Sequence, residues 1–294
     1  MGVACDVERG TVRSREHPDA LAVDVYSNGS GPPLIVVPGI QGRWEWLRPP
    51  LDALQRHCRT VSYSLGGDFG AGWRNDPSLG FENYLRQLDQ VFDQAGIERA
   101  ALCGSSYGGF IALRYAATRP HRVSRLILAS SPSPGWKPNP RQSGYISRPW
   151  ISTPAFLATA PARLWPEIDA AFDSASERLA FCATHMLRVF MAPAIPSLMA
   201  GRIVEQQSID FAADCASVTC PTLVTSGEPH LDTVVPVAAT RQYLSLIPGA
   251  KYAMIERTGH LGLLTRPETF ASIVAGFVER TSSAKRELLD ARHY

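Results

Sequence analysis

The 294-residue sequence has no uninterrupted apolar run of about 18 residues, the length that a helix crossing a bilayer needs. Its first residues include Asp6, Glu8 and Arg9, where a secretory signal needs an apolar stretch. The 29 lysines and arginines are interspersed with 27 acidic residues, so there is no basic stripe for nucleic acid or an anionic membrane. We therefore expect a cytoplasmic protein that binds neither nucleic acid nor membrane.

The sequence also lacks the spacings of metal and disulfide chemistry. No His, Cys and Asp residues show metal-ligand spacing, which predicts no metal site. The six cysteines include no Cys-x-x-Cys pair, and several lie in apolar segments, as buried free thiols do. Cys103 adjoins the motif described next, but it belongs to a predicted strand, so we expect it to have no chemical role.

The most informative stretch is residues 104–108, with the sequence Gly-Ser-Ser-Tyr-Gly. It fits the Gly-x-Ser-x-Gly pattern of a nucleophile elbow, a strand-to-helix turn so tight that flanking side chains would collide. An apolar run at 100–103 precedes it, and a helical pattern at 106–118 follows. A plain Gly/Ser-rich turn or a phosphate-binding loop is the alternative, but the glycine patterns of phosphate loops are missing here. We interpret Ser106 as the apex of a catalytic elbow.

Strand and helix patterns alternate through most of the chain, which indicates a mostly parallel sheet covered by helices on both faces. The apolar run at 34–37 is typical of a strand buried on both faces. The predicted strands are 4–9, 20–26, 34–37, 60–64, 100–103, 123–129, 222–226 and 251–255, and the predicted core helices are 47–56, 81–92, 106–118, 237–246 and 267–280. The sequence thus predicts an α/β fold.

The alternation breaks at residues 133–216. Prolines are too frequent between 132 and 166 for one long helix, helical patterns follow at 167–191 and 198–213, and no strand signal intervenes. We predict that 133–216 is a helical cap inserted at the carboxyl end of the sheet, and that residues 1–132 and 217–294 form the core.

The glycine loop at 38–42 follows the strand at 34–37. A tetrahedral oxyanion needs at least two N–H donors, and a loop of this kind beside the elbow usually supplies one of them. A simple strand-to-helix turn is an equally good interpretation of the loop alone.

Over residues 20–280 the sequence resembles the α/β-hydrolase superfamily. The resemblance rests on the elbow, on Arg-Pro-His-Arg-Val at 119–123, and on Gly227-Glu228, Asp232, Val235-Pro236 and Gly259-His260, with Ser, Asp and His in the family's order. It implies that Ser106 is the nucleophile, His260 the general base and Asp232 the acid that orients it.

The same resemblance implies that the backbone N–H groups of Tyr107 and Ile40 bind the oxyanion. The sequence departs from the family pattern in two places. Pro38-Gly39 stands where many relatives carry His-Gly, and the acid loop is two residues longer than its commonest form. The longer loop leaves Glu228 as a rival to Asp232.

The implied reaction is acyl transfer without a cofactor, on a small carboxylic ester with a small or medium apolar acyl group. Gly39, Trp44 and Trp46 are the predicted substrate contacts, because the tryptophans offer apolar walls beside the glycine loop. Alternatives on the same residues are a lactonase, a thioesterase, a carbon–carbon bond hydrolase, a proline-releasing aminopeptidase and a perhydrolase. A ligand receptor without turnover is the alternative from another class.

Overall fold

The computed structural model describes residues 23–290, apart from the side chains of residues 141, 156, 157 and 280–290. The strand predicted at 4–9 lies outside these residues. The strands are β1 (Val25–Asn28), β2 (Pro33–Val37), β3 (Arg59–Tyr63), β4 (Ala100–Ser105), β5 (Val123–Ala129), β6 (Thr222–Ser226) and β7 (Lys251–Met254). Of the strand predicted at 20–26, residues 20–22 also lie outside the described part of the chain, and residues 25 and 26 belong to β1.

The seven strands form one sheet in the order β1-β3-β2-β4-β5-β6-β7. Only β1 runs antiparallel to its neighbour, and the other pairings are parallel. This arrangement confirms the predicted α/β fold with a mostly parallel sheet. Because β2 and β4 are neighbours and point the same way, the loops after them meet at the carboxyl edge, where open α/β sheets place their ligand sites.

Helices cover both faces of the sheet. They are a 3-10 helix (Trp44–Leu47), α1 (Arg48–Leu54), α2 (Glu82–Gln94), α3 (Gly108–Thr118), α4 (Pro140–Ser147), α5 (Pro149–Ala171), α6 (Ala175–Met191), α7 (Pro196–Gln206), α8 (Phe211–Ser217), α9 (Val237–Thr240), α10 (Tyr243–Leu246), α11 (Gly262–Thr265) and α12 (Pro267–Asp290).

Alternate strand residues feed two apolar cores. Ile35 and Val37 face the core built with α2, α3 and α8, whereas Leu34 and Val36 face the one built with α1 and α12. All four side chains are at most 2% exposed, which accounts for the continuous apolar run in the sequence.

The segment at 133–216 is helical, but its helices do not begin and end where the pattern predicted. Residues 132–166 do not form one long helix, as predicted, because no helix covers residues 132–139 and Arg148 separates α4 from α5. The prolines do not keep the helices short, however, since α5 is 23 residues long and contains Pro154, Pro161 and Pro166. All three prolines are exposed, and so are Trp150 and Ala162, whose carbonyl groups Pro154 and Pro166 leave without an N–H donor.

Two of the capping motifs in this segment divide the predicted helices. Ser174 and Glu177 form a capping box, so the helix predicted at 167–191 is divided between α5 and α6. Asp210 accepts hydrogen bonds from the N–H groups of Ala212 and Ala213, which starts α8 and divides the helix predicted at 198–213. Helix α8 packs on the core helix α3, where Phe211 stacks on Phe110.

Within residues 23–290 no single helix is long and apolar enough to cross a membrane. Helices α6 and α7 reach that length and hydropathy only when taken together, and they are bent by 86° at the break between them.

Candidate active site

Ser106 lies at the apex of a sharp turn between β4 and α3. Its φ is 51°, in the left-handed region that non-glycine residues rarely adopt. A side chain at Gly104 would place its Cβ 2.4 Å from the carbonyl oxygen of Gly108, and one at Gly108 would lie 2.5 Å from that of Pro38. Both glycines of the motif are therefore required by close backbone approach, as the sequence pattern predicted.

His260 follows β7 and faces the serine. Its Nε2 atom is 3.1 Å from Ser106 Oγ, within hydrogen-bond distance. The two residues are 154 positions apart in the sequence, so the sheet brings them together. This is the contact that a serine nucleophile and its general base require.

Asp232 lies behind the histidine, in the loop after β6. Its Oδ1 atom accepts hydrogen bonds from the N–H groups of Val234 and Val235, at 3.0 and 2.8 Å. These bonds direct Oδ2 toward His260, whose Nδ1 atom is 3.4 Å away. The Asp232 carboxylate is completely buried, so it can act on the imidazole with little screening by water.

Glu228 has different partners. Its Oε1 atom accepts a hydrogen bond from the N–H of Arg257 at 2.6 Å, and its Oε2 atom is 3.5 Å from Nδ1 of His230. Of the two acids weighed from the sequence, the structure brings Asp232 and not Glu228 to His260.

The predicted oxyanion donors flank the serine. Tyr107 directly follows it, and a Cβ built on Gly39 would lie 3.6 Å from Cβ of Ser106, which puts the Ile40 loop beside the elbow. Within the described part of the chain, the N–H groups of Ile40 and Tyr107 make no hydrogen bond. Both are available to an oxyanion, and the assignment stays a prediction.

Arg202 of α7 contacts both of these residues and has no counterpart in the sequence predictions. Its Nη1 donates to the carbonyl oxygen of Ile40 at 2.7 Å, and its own carbonyl accepts from the Tyr107 hydroxyl at 2.9 Å. Its Nη2 pairs with Asp68 Oδ2, and both side chains are at most 1% exposed. Burial raises the pKa of Asp68, and the positive charge of Arg202 opposes that rise.

The two predicted substrate tryptophans pack against protein groups. Trp44 stacks on Tyr26 with ring centroids 4.8 Å apart. Trp46 donates its indole N–H to the carbonyl oxygen of Ala192 at 2.8 Å and meets His185 of α6 edge-on. Their role as substrate contacts, and that of Gly39, stays a prediction.

The cysteine beside the site, Cys103, is a buried thiol. Burial raises the pKa of Cys103 to about 12, so its thiolate is absent at neutral pH. Among residues 23–290 no three His, Cys, Asp or Glu side chains form a group that could hold a metal ion.

The chain belongs to the alpha/beta hydrolase family, whose model matches residues 34–273. Among curated proteins it is 26% identical over 264 residues to RutD of Klebsiella pneumoniae strain 342, which its name proposes to be a carbamate hydrolase. That match covers 88% of this chain and 96% of RutD.

Solved structures with the same fold include an esterase from Exiguobacterium antarcticum, with a TM-score of 0.71 and 20% identity. The match covers 89% of this chain and 97% of the esterase chain. The enol-lactonase from Burkholderia xenovorans LB400 has a TM-score of 0.67 and 20% identity, and covers 86% of this chain and 95% of its own. Both solved structures share the fold of this chain.

Proposed function

We propose that this protein is a serine hydrolase that cleaves carboxylic esters through an acyl-enzyme on Ser106. The observation that carries the proposal is the 3.1 Å contact between Ser106 Oγ and His260 Nε2. The buried carboxylate of Asp232 behind the imidazole completes the set.

In the proposed reaction His260 takes the proton of Ser106 as Oγ attacks the carbonyl carbon of the ester. The N–H groups of Ile40 and Tyr107 bind the negative oxygen of the tetrahedral intermediate, whose collapse expels the alcohol with the proton from His260. Water activated by His260 then attacks the acyl-enzyme, which releases the acid and restores Ser106. Asp232 fixes the imidazole tautomer and stabilises the imidazolium, and no cofactor takes part.

A small soluble ester with a small or medium apolar acyl group is the proposed substrate. Helices α5 and α7 make buried polar contacts with the loops of the site, through Glu167 and Arg202. Opening a large lid over a lipid surface would break these contacts, which favours substrates that enter from water.

We also propose that 133–216 acts as a cap, that the protein works in the cytoplasm, and that its partners include neither nucleic acid nor membrane.

Labelling with a fluorophosphonate tests the proposal. We expect one adduct, on Ser106, which the Ser106→Ala substitution abolishes together with ester hydrolysis. Ser105→Ala is the matched control, because Ser105 ends β4 and does not contact His260, and it should still be labelled. A folded wild-type protein that is neither labelled nor active on esters would support the receptor alternative instead.

A substrate panel tests the proposed substrate class. It contains aryl esters of increasing acyl length, an emulsified long-chain triglyceride, a lactone and a carbamate. The ester, lactone and carbamate bonds are included because proteins named for them resemble this chain. We expect the highest kcat/KM on short to medium aryl esters. Highest activity on emulsified long-chain triglyceride, on the lactone or on the carbamate would contradict the proposed substrate class without removing Ser106 as the nucleophile.

A further inference from the structure

Glu167, near the C-terminal end of α5, carries a buried carboxylate into the loop of His260. Its Oε2 atom accepts a hydrogen bond from the N–H of Gly259 at 3.0 Å and one from that of Leu261 at 2.8 Å. These two peptide groups belong to the residues on either side of His260. One carboxylate oxygen thus fixes the backbone of the proposed general base from both sides.

Other residues at this end of α5 contact the loops that carry Asp232 and His260. The Thr233 hydroxyl donates to the carbonyl oxygen of Arg163 at 3.1 Å, which links α5 to the loop of Asp232. Arg257 and Arg266 donate to the carbonyl oxygens of Ala170 and Ala171, at 2.8 and 3.2 Å, which links α5 to the loop of His260 and the helix after it. Glu167 is therefore the buried member of a larger contact.

A carboxylate is a costly group for joining two segments when only its hydrogen bonds matter. Glu167 is 1% exposed, and its Oε1 atom has no hydrogen-bond partner among the described residues. Burying a charge with half of its acceptors unused costs free energy that a neutral amide would avoid. The two hydrogen bonds alone therefore do not explain why a charged side chain is buried at this position.

Several charged groups surround Glu167 and interact with its carboxylate. Burial raises the pKa of Glu167 to about 7, whereas the charge of His260 lowers it and that of Asp232 raises it further, so Glu167 interacts with both and carries its charge above about pH 7. Arg257 and Arg266 bring positive charge to the end of the same helix. The interaction between Glu167 and protonated His260 is mutual, so an ionised Glu167 favours the imidazolium that forms during catalysis.

We propose that Glu167 is a positioning residue for His260, which holds the histidine backbone through Gly259 and Leu261 and favours its imidazolium form together with Asp232. This inference rests on the proposed function of Ser106 and His260. It makes α5 of the insertion part of the machinery that orients the general base.

The Glu167→Gln variant tests the proposal, because it keeps the shape and one oxygen acceptor but removes the charge. We expect kcat on an aryl ester to fall by about tenfold to 100-fold while KM changes less than about twofold. We also expect the acid limb of the kcat/KM profile to move to lower pH, because less negative charge then favours the protonated imidazole. A role confined to stability would leave this limb in place.

Asp169→Asn is the matched control. It neutralises an exposed acid two residues further along α5, which pairs with Arg178 at 3.3 Å, and it should leave kcat and the pH profile unchanged. Glu167→Asp keeps the charge on a shorter side chain that cannot reach both N–H groups. We expect it to lower kcat and to leave the acid limb near its wild-type position.

The possible outcomes separate this proposal from the proposed function. Folded Glu167→Gln with the kcat and acid limb of the wild type would overturn the role of Glu167. If Glu167→Gln does not fold, wild-type kcat in Glu167→Asp would overturn it equally. A wild-type protein without fluorophosphonate labelling would refute the function of Ser106 itself, whatever the variants show.

Discussion

Glu228 accepts a hydrogen bond from the backbone N–H of Arg257, at 2.6 Å, three residues before His260. Arg257 has a φ of 61°, a left-handed conformation that costs free energy for a residue with a side chain. The acid that rivals Asp232 in the sequence therefore stabilises a strained residue in the loop of the proposed base.

Substitution of the two acids should have separate effects. Glu228→Ala leaves the N–H of Arg257 without its acceptor, so we expect a loss of about 1–3 kcal/mol of stability in urea unfolding, with kcat within about threefold of the wild type. Asp232→Asn should remain folded and lose about 10³- to 10⁴-fold in kcat, because the imidazole is no longer held in the required tautomer. A folded Asp232→Asn protein with full turnover beside an inactive Glu228→Gln would give the role to Glu228.

The buried pair of Arg202 and Asp68 should be important for stability and for the Ile40 loop. Arg202→Met leaves Asp68 buried and unpaired, so we expect a loss of about 3–5 kcal/mol in urea unfolding. It also removes the hydrogen bond to the Ile40 carbonyl, so kcat should fall in the protein that remains folded.

Two further variants control for this experiment. Arg48→Met breaks an ion pair with Asp52 whose side chains are 36% and 43% exposed, and it should cost less than about 1 kcal/mol. The double variant Arg202→Met with Asp68→Leu removes both buried charges, so it should recover much of the lost stability. Equal losses from Arg202→Met and Arg48→Met would contradict the importance of the buried pair.

Much of the core could be predicted from the sequence, for a physical reason. Strands such as β2 and β5 are buried on both faces, so they are short apolar runs bounded by turn residues. The elbow requires glycine at fixed positions, and those positions remain visible in the sequence. Ser106, Asp232 and His260 follow strands that end at one edge of the sheet, so their order along the chain already indicates their meeting.

Glu167 and Arg202 could not be found in the same way. Each is one charged residue in a helical pattern, where a charge usually faces solvent. Their burial depends on partners far along the chain, 94 residues from Glu167 to Leu261 and 134 from Asp68 to Arg202. No local periodicity contains such information. The capping box at Ser174 was a local signal that could have divided the helix predicted at 167–191.

Thiol reactivity should distinguish buried from accessible cysteines. Burial raises the pKa of Cys58 to about 11 and that of Cys103 to about 12, whereas Cys182 on α6 is partly exposed. We expect maleimide at pH 7 to modify Cys182 in the native protein and to reach Cys103 only after denaturation. Peptide mapping by mass spectrometry measures this. Rapid labelling of native Cys103 with loss of ester hydrolysis would contradict the view that this thiol has no chemical role.

The dependence of stability on pH should carry a contribution from Glu167. Burial raises its pKa from 4.5 to about 7, against the opposing effects of its two N–H donors and of His260. Between these values the folded protein holds a proton that the unfolded chain has released. The contribution to the free energy of unfolding is therefore complete below about pH 4.5 and is lost as pH rises through about 7.

Glu167→Gln removes this titration, so its stability should fall less between pH 4.5 and 8 than that of the wild type. The free energies of unfolding are measured by urea titration. The difference between those of the two proteins should change by on the order of 3 kcal/mol over this range. Asp68 and Asp214, whose pKa values are also raised, titrate in both proteins and cancel in the difference. Asp169→Asn should give a curve parallel to the wild type. Parallel curves for wild type and Glu167→Gln would show that Glu167 keeps an ordinary pKa, and its charge would then be present throughout the range in which the enzyme works.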